Sequence, residues 1–344
     1  MSRVEAPPLA PMSFSHLAAM TTPLGVHEHA EMREPRTEHG YCTDDVARAL
    51  TVVVREPEHS AALDRLASIY LGFLEQAVSK SGEVHNRMSS HGIWIDEAGT
   101  GDWWGRAVAG LGATVRYARD PGHRARALRM FLRASNRSSV DVRASAFAAA
   151  GAADVLQAQP EATAARMLLI ECLARIPRVD DEGFGWPEPT LRYANAALCD
   201  ALIVGGHALG RQATLNEGLR MLEGLLAVET STQGHLSVTG SNGRARDETG
   251  PLWDQQPIEP AAIADACAHA LEITGERRWA DGVLRAWAWF DGENDNGIRM
   301  FDETVGAGFD GLMPDGHNAN CGAESTIAAI RTNQNARMAG RWMS

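Results

Sequence analysis

The strongest constraint in this chain is the rhythm of its connections. Helical patterning, with apolar residues three and four apart in Ala-rich stretches, recurs from end to end, and strand-like alternation is scarce. The helices come in pairs: 43–55 with 59–78, 102–119 with 121–135, 140–157 with 160–175, 191–209 with 211–229, and 258–274 with 276–291. A last helix spans 322–336, and its partner is expected at 13–20, from the other end of the chain. Links inside a pair are very short, which makes antiparallel hairpins. Links between several pairs are long: 79–101, 176–190, 230–257 and 292–321. Each hairpin returns the chain to the end where it began, so the long links gather on one face. Such loops are where binding and catalysis concentrate.

Six hairpins of this kind predict an all-α fold, an (α/α)6 toroid with an inner and an outer ring of helices. An open helical solenoid or an irregular bundle is the alternative. The spacing is too irregular for TPR or HEAT repeats. Residues 1–12 carry three prolines and read as a loose lead-in, leaving 13–344 as a single barrel domain.

Composition narrows the function. Lys and Arg number 32 against 44 Asp and Glu, a net charge of −12 that argues against a nucleic-acid partner. No apolar run is long enough to span a bilayer, and no signal core opens the chain, so no membrane role and a cytoplasmic location are expected. The five cysteines, odd in number and scattered, read as reduced thiols. No phosphate-cradling or nucleophile-elbow motif is present. His27-Glu28-His29 lacks zinc-ligand spacing, and Asp291–Gly297 does not match a calcium loop. No metal or cofactor is therefore expected.

The polar residues gather at the starts of the first helix in each pair. Asp44, Asp45 and Arg48 open one, and Asp102, Trp103, Trp104 and Arg106 another. Trp186 and Glu188 precede a third, which opens with Tyr193 and Asn195. Trp253, Asp254, Gln255 and Gln256 lead to Glu259, and His317 and Asn320 lead to Glu324. Caps alone explain acids at helix starts. They do not explain tryptophans beside most of them, or polar residues such as Tyr193, Asn195 and Glu259 within apolar inner helices. Converging carboxylates, amides and flat rings suit a carbohydrate. Helix N-termini lower carboxylate pKa values, so a proton donor there needs desolvation or a neighbouring acid. Asp44 and Asp45 lie about 100° apart on a helix and cannot both reach one atom. One is expected at the site, the other in a cap or an arginine pair.

Three strings carry a family resemblance: His39–Leu50 (HGYCTDDVARAL), Asn320–Thr326 (NCGAEST), and Asp254–Glu259 (DQQPIE) with the later Trp289-Phe290. Together they resemble a bacterial family of (α/α)6-barrel, six-hairpin glycosidase-like proteins, found alone or beside glycosyltransferase domains and often with mannoside-acting enzymes. The similarity runs from about residue 27 to 330. It implies the toroid, a carbohydrate role and a possible association with a glycosyltransferase. Val46 stands where a more polar residue such as Asn is expected, and Ala194 where an acidic residue is usual between Tyr193 and Asn195. Both departures bear on substrate contacts.

The reading these features favour is an inverting glycoside hydrolase acting on an oligosaccharide or glycoconjugate. Asp44, Asp45 and Glu324 are its main acids, with Asp102 and Glu259 next. Arg48, Arg106, Glu188, Tyr193, Asn195, Asp254, Gln255, Gln256, His317 and Asn320 would contact hydroxyls, and Trp103, Trp104, Trp186 and Trp253 would stack on rings. A sugar epimerase or isomerase would instead depend on His39, His85, His91 or His317. A phosphorylase would need a phosphate site near Arg48, Arg87 or Arg106. A non-catalytic glycan-binding partner of a glycosyltransferase would need the rings but no paired acids.

Overall fold

A computed structural model describes residues 9–179, 185–245 and 247–343. Of the predicted lead-in, residues 1–8 lie outside the described residues, as do 180–184 within the 176–190 link. Residues 9–12 have no regular structure, although the Met12 amide is held by Asn333 Oδ1.

The helices are α1 (Ser15–Ala19), α2 (Thr43–Arg55), α3 (Ala61–Ala77), α4 (Asp102–Tyr117), α5 (Pro121–Ala134), α6 (Val142–Ala158), α7 (Thr163–Arg175), α8 (Ala196–Ala208), α9 (Gln212–Val228), α10 (Ile258–Thr274), α11 (Arg277–Phe290) and α12 (Ala323–Met343). The even-numbered helices form a closed ring in which each packs on the next and α12 returns to α2. The odd-numbered helices lie outside them. The predicted pairing holds throughout, including α1 from the N-terminal segment against α12.

Local chemistry sets the turns. Asp120 caps α5 by accepting from the Gly122 amide at 2.6 Å, with Pro121 at the first helical position. Gly275 ends α10 in a left-handed conformation, φ 69°. Inner helices lie between the outer ring and the centre, so they are apolar nearly all round and rich in Ala.

Two boundaries differ from expectation. The helix expected from 191 starts at Ala196, because Leu191 bridges to Arg244 and Ala194 turns left-handed at φ 46°. Tyr193 and Asn195 therefore precede the inner helix instead of lying within it. The final helix continues past 336 to Met343. Its polar run Thr332–Asn335 looks like a helix end but is buried: Gln334 donates to Val52 O and Glu56, and Asn335 to Asp265.

The long links carry short antiparallel ribbons that the sequence does not announce. Among them are Ala30–Glu31 with Glu34–Pro35, Tyr41–Cys42 with Arg87–Met88, and Gly311–Met313 with Gly316–Asn318. Among the described residues, no helix is long and apolar enough to cross a membrane. All five cysteines are free and buried.

Candidate active site

The inner ring encloses a central lumen whose empty space, mouth included, is about 940 Å³. Its mouth is the end where the inner helices start, and five ionisable side chains converge there. Thr43 anchors the start of α2, its amide bonded to Asn86 O at 2.9 Å and its hydroxyl to His85 O at 2.6 Å. The first turn then presents Asp44 and Asp45. At the start of α12, Asp310 accepts from the Gly322 amide at 2.7 Å and from Ser325 Oγ at 2.8 Å, while Ala323 N reaches Glu28 O. With its helix start secured by others, Glu324 is free to reach across the lumen.

Arg48 joins these acids. Its Nη1 donates to Glu324 Oε2 at 2.6 Å and its Nη2 to Asp45 Oδ1 at 2.7 Å. Nη2 also lies 2.8 Å from Asp44 Oδ1. The adjacent aspartates therefore do meet at one atom, contrary to the expectation from their separation of about 100°, because the Arg48 side chain lies one turn on from both, at i+4 and i+3. Arg106 completes the group, with Nε 3.5 Å from Asp44 Oδ1 and its guanidinium 3.5 Å from the centre of the Phe147 ring. The two aspartates differ in access: the Asp45 side chain is 4% exposed, Asp44 is 23% exposed and Glu324 38%. Burial pushes the Asp45 carboxyl well above the usual range against the opposing pull of Arg48, and the Asp44 and Glu324 charges add to the rise. Desolvation thus overrides the lowering expected at a helix start. Three carboxyl groups thus face two guanidiniums.

No protein-family model matches the chain, and no curated protein does either. Solved structures do. A sugar epimerase from a ruminal bacterium superposes with TM-score 0.71 at 12% identity, covering 94% of this chain and 95% of that one. Cellobiose 2-epimerase from Bacillus thermoamylovorans gives 0.70 at 10% identity, covering 96% of each. An inactive variant of a Salegentibacter α-1,6-mannanase, with two consecutive aspartates changed to alanine and α-1,6-mannotetrose bound, gives 0.64 at 12% identity, covering 94% of this chain and 96% of that one. This chain is an (α/α)6 barrel.

The remaining predicted residues fall at different places on the barrel. Tyr193 and Asp102 stand at the mouth, where the Tyr193 hydroxyl donates to Asp102 Oδ2 at 2.6 Å. Beneath them lies a buried network. Arg143 of α6 donates to both Glu188 oxygens at 2.8 Å and to Tyr193 O at 2.5 Å, and its guanidinium lies 4.6 Å from the Tyr193 ring centre. Glu259 is buried and accepts from the Ala194 amide at 2.5 Å and from the Asn195 amide and Nδ2 at 3.2 Å. It fixes the turn that presents Tyr193. Burial and the Glu229 charge together raise its pKa to about 8, against its three N–H donors. The Glu259 carboxyl is thus occupied by protein partners, Asn195 among them.

The tryptophans do not line the lumen. Trp104 is fully buried, with Nε1 donating to Ala134 O. Trp103 packs on Gly101 and donates to Val84 O at 2.6 Å. Trp186 is buried, and Trp253 packs against the core. The ring that lines the lumen is instead Phe147, while Tyr193 stands exposed beside it, bonded to Asp102. Gln255 is fully buried between Asp295 Oδ2 and Trp289 Nε1, so it cannot meet a hydroxyl. Asp254 and Gln256 are half-buried beside Gly311. Asn320 Oδ1 holds the Met32 amide at 2.9 Å, and His317 packs on Phe309 with ring centres 4.2 Å apart.

Arg143, Phe147 and Asp310 escape a sequence reading. The first two sit on the Ala-rich α6, where one arginine and one ring carry no motif. Asp310 acts from a loop 12 residues before Gly322, whose amide it holds at the start of α12.

Proposed function

We propose that this barrel is a carbohydrate-active enzyme, a glycoside hydrolase that uses Asp44 and Glu324 as its reacting carboxyl groups. The observation that carries the reading is the single guanidinium of Arg48 holding both acids at the lumen mouth, 2.8 and 2.6 Å away. Hydrolysis needs two such groups. One protonates the glycosidic oxygen as it leaves, and the other takes a proton from the water that attacks the anomeric carbon. We assign the base to Asp44, held between Arg48 and Arg106, and the acid to Glu324, more open to the lumen. Asp45 anchors Arg48 from the buried side. Tyr193, Asp102 and Phe147 would contact the sugar. Support comes from the mannanase neighbour, whose inactive variant lacks two consecutive aspartates, as Asp44 and Asp45 are consecutive here.

The epimerase neighbours support a second reading, of a sugar epimerase or isomerase on the same barrel. Against it, the histidine lining the lumen is His269, at the opposite end from these acids. The resemblance also implies a glycosyltransferase partner, and the composition a cytoplasmic setting; co-purification and fractionation from the native cell would test them.

The deciding experiment is a panel of manno- and gluco-oligosaccharides, with and without phosphate, followed by mass spectrometry and anomeric NMR. Free sugar from the wild type but not from Glu324→Gln supports hydrolysis, with the inverted anomer expected first. A sugar phosphate would mark a phosphorylase. Solvent deuterium in an uncleaved sugar would mark an epimerase. Binding without turnover, unaffected by the substitution, would leave a glycan-binding protein.

A further inference from the structure

The lumen has a second polar level. Three inner helices repeat their lumen-facing position after seven residues: Phe147 and Asp154 on α6, Ile258 and Asp265 on α10, Glu324 and Arg331 on α12. Seven residues are two helical turns, a depth of about 10 Å. Between the levels the wall is small and apolar, including Ala109, Ala150, Ala197, Ala262 and Ala328. At the lower level, Asp154, Asp200, Asp265, His269 and Arg331 line the same cavity as the mouth residues.

This floor is organised, and it is open to a ligand. Asp154 accepts from Arg116 Nη1 at 2.9 Å. Asp265 Oδ1 accepts from Arg331 Nε at 2.6 Å and from Asn335 Nδ2 at 2.7 Å. His269 Nδ1 lies 2.7 Å from Asp200 Oδ1, which turns Nε2 away from that carboxylate, and Nε2 has no hydrogen-bond partner among the described residues. Arg331 Nη1 is buried and has none either. Burial lowers the His269 pKa, but Asp200 more than offsets it. Behind the floor, Arg55 and Arg116 flank the Tyr117 ring at 5.2 and 4.7 Å from its centre, and Arg55 Nη2 donates to Asn335 Oδ1. That layer separates the lumen from a depression on the opposite face, lined by Arg55, Arg116, Tyr117 and Arg337.

The charges select the ligand class. Each floor carboxylate has its own cation: Arg116 for Asp154, His269 for Asp200, Arg331 for Asp265. An anionic group would meet three carboxylates whose cations are already engaged. A neutral polyhydroxylated ring can accept from Arg331 and His269 and donate to the aspartates. A purely structural ion-pair layer does not require a cavity above it, or two donors without partners.

We propose that the floor is a second ligand subsite, which holds the neutral terminal sugar of a glycan while its bond to the rest of the chain lies between Asp44 and Glu324. The lumen is then a blind pocket, and the enzyme trims glycans from one end. This rests on the hydrolase reading for the cleavage, but not for the binding.

Two measurements separate those parts. The first is saturation-transfer NMR with mannose, glucose and galactose on the wild type, Glu324→Gln, Ala150→Leu and His269→Gln. The wild type and Glu324→Gln should bind at least one of these sugars. Ala150→Leu, which fills the wall between the levels, should lose binding with unchanged thermal unfolding. His269→Gln, which unfolds at a lower temperature because its ion pair with Asp200 is gone, should weaken binding at least tenfold when assayed well below that temperature. If Ala150→Leu does not fold, Ala262→Leu blocks the same space from the opposite wall. Wild-type affinity in the blocked variant or in His269→Gln, or no sugar bound by the wild type, overturns the subsite. The second is digestion of end-labelled oligosaccharides, expected to release only a short terminal fragment whatever the chain length. A ladder of internal cuts overturns the trimming while leaving hydrolysis standing. Sugar binding that is lost in the blocked variant, with no glycan cleaved, keeps the subsite and removes the hydrolase.

Discussion

Arg48 Nη1 donates to Glu324 Oε2 across 2.6 Å, and the two residues are 276 apart in the chain. This contact ties the first inner helix to the last, so the ring closes through the residues proposed to do the chemistry. The other half of the guanidinium is occupied by Asp44 and Asp45. Closure and the proposed catalysis therefore share one side chain.

Arg48→Ala should damage both. It strands the buried Asp45 carboxyl and removes the group that positions Asp44 and Glu324. Breaking a buried ion pair costs about 3–5 kcal/mol. The Glu324 arm is 38% exposed and screened, so the loss should lie near the lower end, about 3 kcal/mol. Arg48→Lys keeps the charge but cannot span three carboxylates with a planar fork. It should recover part of the stability and little of the turnover. Urea unfolding and glycan turnover on both variants check this; full activity in Arg48→Lys would remove the bridge from the mechanism.

The adjacent aspartates should behave differently. Burial raises the Asp45 carboxyl and so favours its neutral form, which Asp45→Asn resembles while keeping an oxygen for Arg48 Nη2. We expect turnover within about tenfold of the wild type, against losses of roughly 10²–10⁴-fold for Asp44→Asn and Glu324→Gln. The sign of the pH effect follows. A raised carboxyl pKa in the fold gives stability that is full below the unfolded value, about 3.9, and lost as pH rises through the folded one. Thermal unfolding should therefore move in favour of Asp45→Asn as pH increases. A constant difference at every pH would mean that Asp45 is ionised in the native state.

Glu259 offers a second pH window, with numbers. Its pKa is about 8 in the fold against 4.5 for the free group, so its contribution is complete below about 4.5 and disappears as pH passes 8. Glu259→Gln replaces one acceptor oxygen with an NH2 facing backbone N–H groups. The cost should be about 1–3 kcal/mol, the penalty for buried donors left unpaired. That gap should narrow between pH 5 and pH 9, as the wild type loses its proton. The Tyr193 turn should loosen too, raising KM more than it lowers kcat.

Much of this was legible in the sequence. Alternating short and long links give the hairpins and the face that holds the loops, because they reflect chain geometry and not fine packing. Asp44, Arg48 and Glu324 were legible because charged residues at the starts of apolar helices have few other uses. The tryptophans were not, since their placement depends on helix phase: Trp104 faces Ala134 of α5, while Trp103 turns back onto its own loop. The Ala194 turn was hidden because Glu259, 65 residues away, stabilises it. The lower polar level was hidden for a simpler reason. Asp154, Asp265 and Arg331 lie two turns below the mouth, where a charge reads as helix surface until the ring is known to close around it.

The closeness of that ring makes a last prediction about the fold itself. Helices α4 and α6 meet backbone to backbone. A Cβ at Gly112 would collide with Gly151 O, and one at Gly151 with Val108 O. Intrinsic propensity favours Ala over Gly in a helix interior by about 1 kcal/mol. At Gly112 that gain is overridden, because the obstacle is main chain on a helix fixed by neighbours on both sides and cannot move aside. Overpacking of this kind costs about 1–3 kcal/mol, and the displacement would travel to Arg106 and Phe147 at the mouth. Gly224, exposed in α9 with nothing within 4 Å of an added Cβ, provides the control. Gly224→Ala should stabilise by about 0.5–1 kcal/mol. Urea unfolding of the two variants should therefore give shifts of opposite sign. Stabilisation by Gly112→Ala would mean that α4 and α6 sit further apart than the ring described here.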